Sequence, residues 1–531
     1  MDTRVADDAT PQPSEVSDAP STARSRKWGR IAVREVLLLA TALLIGATVY
    51  KTTWFPETQF LELLFYAQHG WARGGATQAM ATEIAQTAAV WLVVLHLPFL
   101  VPWRRLGRSL RARRTGWATR LATAMHRRAT GIRRGYVALA FIVGLSVCLM
   151  AFQVPRYAWS LYDSSTIYEE HYVEPANAAL THVGTPRNLI LIYLESVENT
   201  LASTAGGGQS EVSLIPDLER LALDPANVSF THQAGRIGGA QQLSGTAWSL
   251  AGMVATQGGI PLKVSIYNDG GSLPEFLPGA WMLGDVLAAR GYNQSIVMGA
   301  DPSFGGVDKL LGLHGDVTIL GPQYLKAQGR LPKGYHTWWG YEDAKMFQFA
   351  KEEATRLASL GEPFHLQMLT EDTHWPDGYN DTTCPRTHQR QYDNVYACSS
   401  ARIASFIEWV QQQPFAPDTT IVLVGDHLGM QAGYYTGMVH DPGFVRTTYN
   451  LIVNPAVRPV SDRPRTFTST DFYPTILTAM GYTVPGDRLG LGTNLFGTTP
   501  TLAEQLGMPA LEAELSKRSS LYDSRLMTKP A

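Results

Sequence analysis

Residues 188–196, with the sequence NLILIYLES, form an almost unbroken apolar run that ends in a glutamate and a serine. The run has the length of one strand and does not alternate between apolar and polar residues. This pattern is typical of a strand that is covered on both faces in a parallel sheet. Four further runs resemble it and predict further strands, at residues 292–299, 363–370, 419–425 and 449–455.

Helical patterns separate these predicted strands. Apolar residues recur three or four positions apart at residues 281–291, 343–360, 394–412 and 471–481. Strands that alternate with helices indicate an α/β fold, in which a central, mostly parallel sheet is covered by helices on both faces. We therefore expect an α/β domain over residues 187–500.

Three apolar runs precede this domain, at residues 31–50, 81–102 and 136–154. Each has about the length needed to cross the hydrocarbon of a bilayer. Residues 103–135 between the second and third runs carry eleven arginines. Buried helices of a soluble core and a nucleic-acid-binding segment are the alternatives. The positive-inside rule instead predicts three transmembrane helices, with the arginines in the cytoplasm and the α/β domain on the other side.

The expected organisation therefore begins with a disordered cytoplasmic tail and a membrane domain and continues outside the membrane. Its five parts are residues 1–28 (tail), 29–154 (membrane domain), 155–186 (connector), 187–500 (catalytic domain) and 501–531 (C-terminal tail). This arrangement predicts a multi-pass membrane protein whose α/β domain lies outside the cytoplasm.

Composition narrows the class of protein. The 531 residues carry a net charge of −2, with 17% charged and 45% hydrophobic residues, which excludes a disordered protein and a protein that coats nucleic acid. Three cysteines are too few for a disulfide framework or a cysteine-rich zinc module. Cys384 and Cys398 lie in the outward domain, where an oxidising compartment permits a disulfide, whereas Cys148 lies in a predicted span and is expected to be free.

Polar residues follow two of the predicted strands. Glu195 ends the first run, and Asp426 and His427 directly follow the run at residues 419–425. In α/β sheets, ligands bind just beyond the carboxyl ends of the strands. A carboxylate at a strand end can also be an ordinary solvated turn residue. The adjacent Asp and His are more specific, because an oxygen and a nitrogen ligand at one strand end can bind one divalent cation together.

The segment at residues 245–259, GTAWSLAGMVATQGG, begins with Gly-Thr and continues with small and apolar residues at helical spacing. This pattern predicts that Thr246 lies at a helix N-terminus, where unpaired N–H groups favour a phosphoryl group. The alternative is an ordinary threonine that caps the helix.

In this combination the sequence resembles the alkaline-phosphatase/sulfatase superfamily. Within the superfamily it is similar to phosphoglycerol transferases related to lipoteichoic acid synthase, and more closely to those of osmoregulated periplasmic glucans. Glu195 matches the metal-binding glutamate, Thr246 the nucleophile, and Asp426 and His427 the Asp-His pair. His374, in TEDTHWPDGY, matches the active-site histidine.

The resemblance extends over residues 186–497. The segments that carry it are GTAWSLAGMVATQGGIPL, FLPGAWMLGDVLAARGYNQSIVMGADPSFGG, LTEDTHWPDGY, YACSSARIASFIEWV and DRLGLGTNLF. Two departures occur. QGG at residues 257–259 stands where the glucan enzymes have a cysteine, and ADPSFGGVDK lacks the Trp and Arg that hold glycerophosphate in lipoteichoic acid synthase.

The resemblance implies a metal-dependent transfer of phosphoglycerol. Glu195, Asp426, His427 and the Thr246 oxygen would hold one divalent ion, manganese or magnesium, with zinc as a further option. Thr246 would attack phosphatidylglycerol and form a phosphoglycerol-threonine intermediate, and a periplasmic glycan would then accept the group. His374 would protonate the leaving oxygen and later assist the acceptor.

Three residues are expected to contact the substrate. Asp301 and Phe304 occupy the segment that corresponds to the donor-binding segment of lipoteichoic acid synthase. Arg446, after the metal pair, could contact phosphate or form a surface salt bridge.

Several other functions remain as alternatives. A phosphoethanolamine transferase acting on lipid A or a glycan shares the threonine and metal chemistry. A sulfatase is disfavoured because the chain has no C/S-x-P-x-R motif. A soluble alkaline phosphatase would not need three spans. A non-catalytic domain that binds glycan is the alternative from a different class, and the complete set of candidate metal ligands argues against it.

Overall fold

The computed structural model describes residues 21–56, 60, 75–100, 135–182, 184–263 and 275–529. The chain divides into two compact units, one made of residues 1–50 and 81–151, the other of residues 51–80 and 152–531. The arginine-rich loop and most of the predicted N-terminal tail lie outside the described residues.

The helices of the described residues are α1 (Ser21–Trp54), α2 (Gly75–Leu100), α3 (Gly135–Ala151), α4 (Val154–Ser160), α5 (Ile167–His171), α6 (Pro216–Leu223), α7 (Ser249–Gly258), α8 (Leu283–Ala288), α9 (Val307–Leu313), α10 (Pro322–Ala327), α11 (Asp343–Ala358), α12 (Gln391–Gln411), α13 (Ala432–Thr436), α14 (Phe472–Ala479), α15 (Leu502–Leu506) and α16 (Met508–Ser516).

Apolar helices dominate the first unit. Among the described residues, two helical stretches are long and apolar enough to cross a membrane, Trp28–Trp54 and Met80–Phe99. A third candidate span arises if α3 and α4, which meet at a bend of 59°, are counted together. Helix α1 begins at Ser21, so the last part of the predicted disordered tail is helical. The apolar helices agree with membrane anchoring.

Helices α1 and α2 approach each other closely within the first unit. A Cβ atom added at Gly46 would lie 2.7 Å from the carbonyl oxygen of Ile84, so only glycine allows this contact. Elsewhere along the same pair, the Glu35 carboxylate lies 2.8 Å from Nε2 of His96. A small residue and a polar pair therefore join the two helices.

The second unit is built around one sheet. Six strands of the described residues form it in the order β4-β3-β5-β2-β6-β7, and only β7 runs antiparallel to its neighbour. All five strands predicted from the sequence are confirmed, whereas the short edge strand β4 was not predicted. The strands of the described residues are β1 (Thr181–His182), β2 (Asn188–Leu194), β3 (Asn293–Met298), β4 (Thr318–Leu320), β5 (Phe364–Leu369), β6 (Thr419–Gly425), β7 (Asn450–Val453), β8 (Tyr482–Thr483), β9 (Arg488–Leu489) and β10 (Gly492–Thr493).

Helices cover both faces of this sheet, as the apolar strands predict. Along β2, Leu191 and Tyr193 belong to one hydrophobic cluster, while Ile190, Ile192 and Leu194 belong to another. Successive side chains of a strand point to opposite faces, so each face of β2 has its own core. The four predicted helices are present as α8, α11, α12 and α14.

The two ends of the second unit pack into the first of these clusters. Leu511, Leu515 and Leu526, all in the predicted C-terminal tail, are buried there. Tyr168, in the predicted connector, packs against Tyr522 with ring centroids 5.5 Å apart. The described residues of the connector and of the tail are therefore parts of the folded unit, because their apolar side chains complete its core.

Candidate active site

Two neighbouring parallel strands bring the predicted metal ligands together. Strands β2 and β6 are paired so that Leu194 lies beside Gly425. The next residue on each strand is a carboxylate, Glu195 on β2 and Asp426 on β6, and His427 follows. The carboxyl ends of the strands thus form one site, at the edge of the sheet where the sequence predicts it.

The three side chains form a compact, buried group. One ligand atom from each lies within 4.8 Å of the others, and each residue is at most 2% exposed. Nε2 of His427 is 3.5 Å from an oxygen of Glu195 and 3.5 Å from an oxygen of Asp426. Nδ1 of His427 is 2.8 Å from the carbonyl oxygen of Leu428. That carbonyl can only accept a hydrogen bond, so Nδ1 carries the proton and Nε2 points to the carboxylates.

The charges of this group shift its pKa values in different directions. Burial raises the pKa of Glu195, but the positive charges of His427 and His374 outweigh burial and hold it below its usual range. Burial and the negative charge of Glu195 raise the pKa of Asp426 to about 7. Burial lowers the pKa of His427, but Asp426 and Glu195 outweigh burial and raise it to about 10. The imidazolium therefore compensates part of the carboxylate charge in the metal-free protein.

The donor set fits a divalent cation. Oδ1 of Asp426 accepts hydrogen bonds from the backbone N–H groups of Ser196 and His427. Its buried Oδ2 has no hydrogen-bond partner among the described residues. A buried oxygen without a partner is costly unless a cation binds it. Two carboxylates and one imidazole suit manganese, magnesium or zinc, so the site supports a divalent metal without determining its identity.

Ser249, rather than Thr246, contacts this group of candidate metal ligands. The Ser249 hydroxyl donates a hydrogen bond of 3.1 Å to Glu195 and lies 3.5 Å from Nε2 of His427. The Thr246 hydroxyl instead donates to the carbonyl of Leu243 and accepts from its N–H, both at 2.9 Å. The prediction that Thr246 begins a helix is wrong, because α7 begins at Ser249.

Backbone geometry explains this shift of three residues. Gly245 has a φ of +80°, and Trp248, directly before the helix, is extended. Further along α7, a Cβ atom added at Gly252 would lie 2.1 Å from the carbonyl oxygen of Asp426. Glycine therefore lets α7 pack directly against the backbone of Asp426, just beyond β6. This contact brings Ser249 beside the candidate metal ligands. Helix α7 has ten residues, and Ser249 is the first of them. The unpaired N–H groups of its first turn therefore lie at the same end of the helix as the Ser249 hydroxyl.

His374 lies on the loop that follows β5, and it is partly exposed. Its Nδ1 is 2.7 Å from the carbonyl oxygen of Trp375, which leaves Nε2 for proton transfer in the neutral tautomer. The neighbouring Thr373 donates a hydrogen bond of 2.6 Å to the carbonyl oxygen of Glu195, so this loop is anchored beside a metal ligand. The ring of Trp339 packs edge-on against His374, with centroids 4.6 Å apart.

Covalent and ionic contacts hold this loop on α12. Cys384 and Cys398 form a disulfide. Arg402 donates a hydrogen bond of 3.0 Å to Asp372 and also pairs with Asp381. The loop is therefore attached to α12 at Asp372, before His374, and at Asp381 and Cys384, after it. Cys148 is a free cysteine.

The three predicted substrate contacts have different surroundings. The Asp301 carboxylate accepts hydrogen bonds from the N–H and hydroxyl of Ser303. The Phe304 ring packs on Trp339, with centroids 5.9 Å apart, and so lies close to His374. Arg446 donates two hydrogen bonds, of 2.9 and 2.6 Å, to the buried Glu198. Arg446 thus forms a salt bridge, which was the alternative to a phosphate contact. Its partner Glu198 is buried, whereas the alternative was a salt bridge at the surface.

Two kinds of residue escaped the sequence analysis. Ser249 lay within the quoted segment and was missed because the helix was assumed to begin at the Gly-Thr pair. Trp338 and Trp339 stand in a loop with no periodic pattern, and only the folded chain brings Trp339 to His374.

Comparisons with known sequences and structures identify proteins that are similar to this chain. The sequence model described as Sulfatase matches residues 187–482. A curated protein named Phosphoglycerol transferase I, from Escherichia coli (strain SMS-3-5 / SECEC), is 34% identical over 279 residues, which are 50% of this chain and 34% of that protein. A protein of the same name from Shigella boydii serotype 18 is equally similar. The chain thus spans about a third of the length of the curated relatives it matches.

The solved structures that match this chain include a protein in the alkaline phosphatase superfamily from Vibrio parahaemolyticus. It is 20% identical, with a TM-score of 0.46, over 59% of this chain and 72% of that chain. The lipoteichoic acid synthase LtaP from Listeria monocytogenes is 14% identical, with a TM-score of 0.44, over 60% of this chain and 78% of that chain.

Proposed function

Because the chain belongs to the sulfatase family of enzymes, we propose that it transfers phosphoglycerol from phosphatidylglycerol to a periplasmic glycan, with Ser249 as its nucleophile. The observation that carries the proposal is the Ser249 hydroxyl at the start of α7, 3.1 Å from Glu195 in the buried pocket. Relatives named Phosphoglycerol transferase I support the transferred group. An osmoregulated periplasmic glucan is the proposed acceptor.

In the first half-reaction, Ser249 Oγ passes its proton to Glu195, the acceptor of its hydrogen bond, and attacks the phosphorus of phosphatidylglycerol. The bond between phosphorus and the diacylglycerol oxygen breaks, and His374 gives that oxygen its proton, so diacylglycerol leaves. Phosphoglycerol remains as an ester on Ser249. The N–H groups of the first turn of α7 stabilise the negative charge of the phosphoryl oxygens.

In the second half-reaction, His374 removes the proton of an acceptor hydroxyl, which attacks the same phosphorus. The bond between phosphorus and Ser249 Oγ breaks, and Ser249 Oγ takes its proton back from Glu195. A divalent cation, manganese in the first instance, bound by Glu195, Asp426 and His427, supplies positive charge that lowers the pKa of the attacking hydroxyl and offsets phosphoryl charge. The N–H of His427 Nδ1 on the Leu428 carbonyl keeps Nε2 oriented for binding.

The proposed location is a bacterial inner membrane, with the second unit in the periplasm. Apolar helices at the N-terminal end of the chain support anchoring, and a lipid donor is confined to the bilayer. The Cys384–Cys398 disulfide suits an oxidising compartment. A tethered domain with this site meets its lipid donor at the membrane surface.

The test uses the full-length protein in lipid nanodiscs with manganese and headgroup-labelled phospholipid. The wild-type chain should release diacylglycerol from phosphatidylglycerol and gain the mass of one phosphoglycerol unit. Ser249→Ala should lower release at least about a thousandfold, because the nucleophile is lost. Thr246→Ala is the matched control and should keep release within about threefold, since its hydroxyl is hydrogen-bonded to the Leu243 backbone rather than to a metal ligand.

Three outcomes would contradict the proposal in different ways. Loss of release in Thr246→Ala, with activity retained in Ser249→Ala, would return the nucleophile to Thr246. Release from phosphatidylethanolamine alone would indicate a phosphoethanolamine transferase. No release from either lipid by the wild-type chain would refute the transferase.

A further inference from the structure

Two tryptophans form the tip of a tight hairpin turn beside the site. Thr337 and Gly340 exchange two backbone hydrogen bonds, each 2.9 Å long, around Trp338 and Trp339. Trp338 has a φ of +55°, a value that bulky residues rarely adopt. A positive φ at the first central residue is the pattern of a type II′ turn, where glycine is the usual residue. Such backbone strain concentrates at functional sites.

This turn contributes to a group of partly exposed aromatic rings that we call the aromatic shelf. The Trp339 ring lies between Phe304, 5.9 Å away, and His374, 4.6 Å away. Trp338 stacks on Tyr379, with centroids 6.5 Å apart and planes inclined by 26°. The shelf consists of Phe304, Trp338, Trp339 and Tyr379. Its Trp339 ring contacts His374, the proposed base for the acceptor hydroxyl.

The chemistry of the shelf suits a sugar ring. The face of an aromatic ring is negative, and the C–H groups on one face of a pyranose are weakly positive, so the two faces attract each other. Trp and Tyr also combine an apolar ring with a polar N–H or O–H, which matches a ligand with an apolar face and hydroxyls at its rim.

Trp375, next to His374, has different neighbours. Its ring packs against Trp54 and Phe55, at distances of 6.0 and 5.5 Å. Trp54 is the last residue of the apolar helix α1, so the chain from the apolar helix meets the loop at Trp375. The shelf rings pack instead on one another and on His374. This contrast assigns the shelf to the soluble acceptor rather than to the lipid, and with it Phe304, which the sequence resemblance places in the donor-binding segment.

We propose that the aromatic shelf binds a pyranose ring of the acceptor glycan and orients its hydroxyl toward His374. The inference rests on the proposed function, because it assigns a binding surface to the second half-reaction. Trp338, at the strained position, is the positioning residue whose replacement separates binding from folding.

The test is Trp338→Gly in the full-length protein. Glycine adopts the positive φ without strain, so the free energy of unfolding should stay the same or rise, although the ring is lost. The KM for a linear β-linked gluco-oligosaccharide of about six units should rise about tenfold. The kcat at saturating oligosaccharide should change less than the KM. Trp338→Tyr should restore part of the affinity.

Trp409→Ala is the matched control. Trp409 is also partly exposed. It lies in the last turn of α12, shortly before the amino end of β6, and its ring packs between Phe406 and Phe415. Because that end lies away from the site, the control should keep the wild-type KM and kcat.

Binding of the same oligosaccharide to Ser249→Ala protein, measured by calorimetry with and without Trp338→Gly, separates the two hypotheses. If the wild-type chain cleaves no lipid but this binding weakens in Trp338→Gly, the transferase proposal fails and the shelf stands. An unchanged affinity and KM, or a higher KM for the phospholipid only, would refute the shelf. Loss of stability in Trp338→Gly together with unchanged KM would show a structural role.

Discussion

Two glutamates of the loop after β2, Glu195 and Glu198, are both buried, but their charges are compensated in different ways. Glu198 receives two hydrogen bonds from the Arg446 guanidinium and one from the backbone N–H of Gly429. Glu195 faces Ser249, His427 and a second carboxylate. An arginine keeps its charge at all ordinary pH values, whereas a histidine can lose its proton. The first arrangement therefore supports the fold, and the second can exchange a proton for a metal ion.

The largest effect should follow a change to the metal group. Asp426→Asn removes the buried oxygen without a partner and should lower diacylglycerol release at least about a thousandfold, with loss of bound metal. Burial and Glu195 raise the pKa of Asp426, so the neutral amide should keep the unfolding free energy within about 1 kcal/mol. Lipid turnover, metal content and denaturant unfolding measure the three quantities. Activity retained at full metal content would contradict the assignment.

The Arg446–Glu198 pair should show the opposite behaviour. Arg446→Met leaves a buried carboxylate without its cation and should lower the unfolding free energy by about 3–5 kcal/mol. The double variant Glu198→Leu with Arg446→Met should recover much of this loss, because no buried charge remains. Denaturant unfolding of the full-length protein measures both. A large rise in the KM for phospholipid at unchanged stability would instead support the predicted phosphate contact of Arg446.

The sequence predicts those features of the fold and the site that depend on neighbouring residues, and it misses those that depend on contacts between distant segments. The apolar strands and the residues just after them are local features, so β2 and β6, and with them Glu195, Asp426 and His427, could be identified from the sequence. The start of α7 depends on the extended backbone of Trp248, so Ser249 was missed. The contact of Trp339 with His374 joins two separate loops, and no pattern in either loop reveals it.

The smallest effect, when taken per pH unit, is expected for the affinity for metal. It distinguishes the two glutamates by the groups that compensate their charges. In the metal-free protein, Asp426 and Glu195 outweigh burial and raise the pKa of His427 to about 10, so the imidazole is protonated near neutral pH. Metal binding must displace this proton, so affinity should strengthen as pH rises toward 10, by up to about tenfold per pH unit. Below about 7, where Asp426 also becomes protonated, the dependence should steepen.

Manganese titrations of the full-length protein between pH 6 and pH 9 measure this dependence, at about tenfold per unit. Glu198→Gln is the informative control, because Arg446 holds no exchangeable proton in this range. Even if this variant is less stable, its folded fraction should bind manganese with the wild-type pH slope. A slope near zero in the wild-type chain would mean that His427 is already neutral before the metal binds. The compensation of Glu195 and Asp426 would then have to come from another cation of the site.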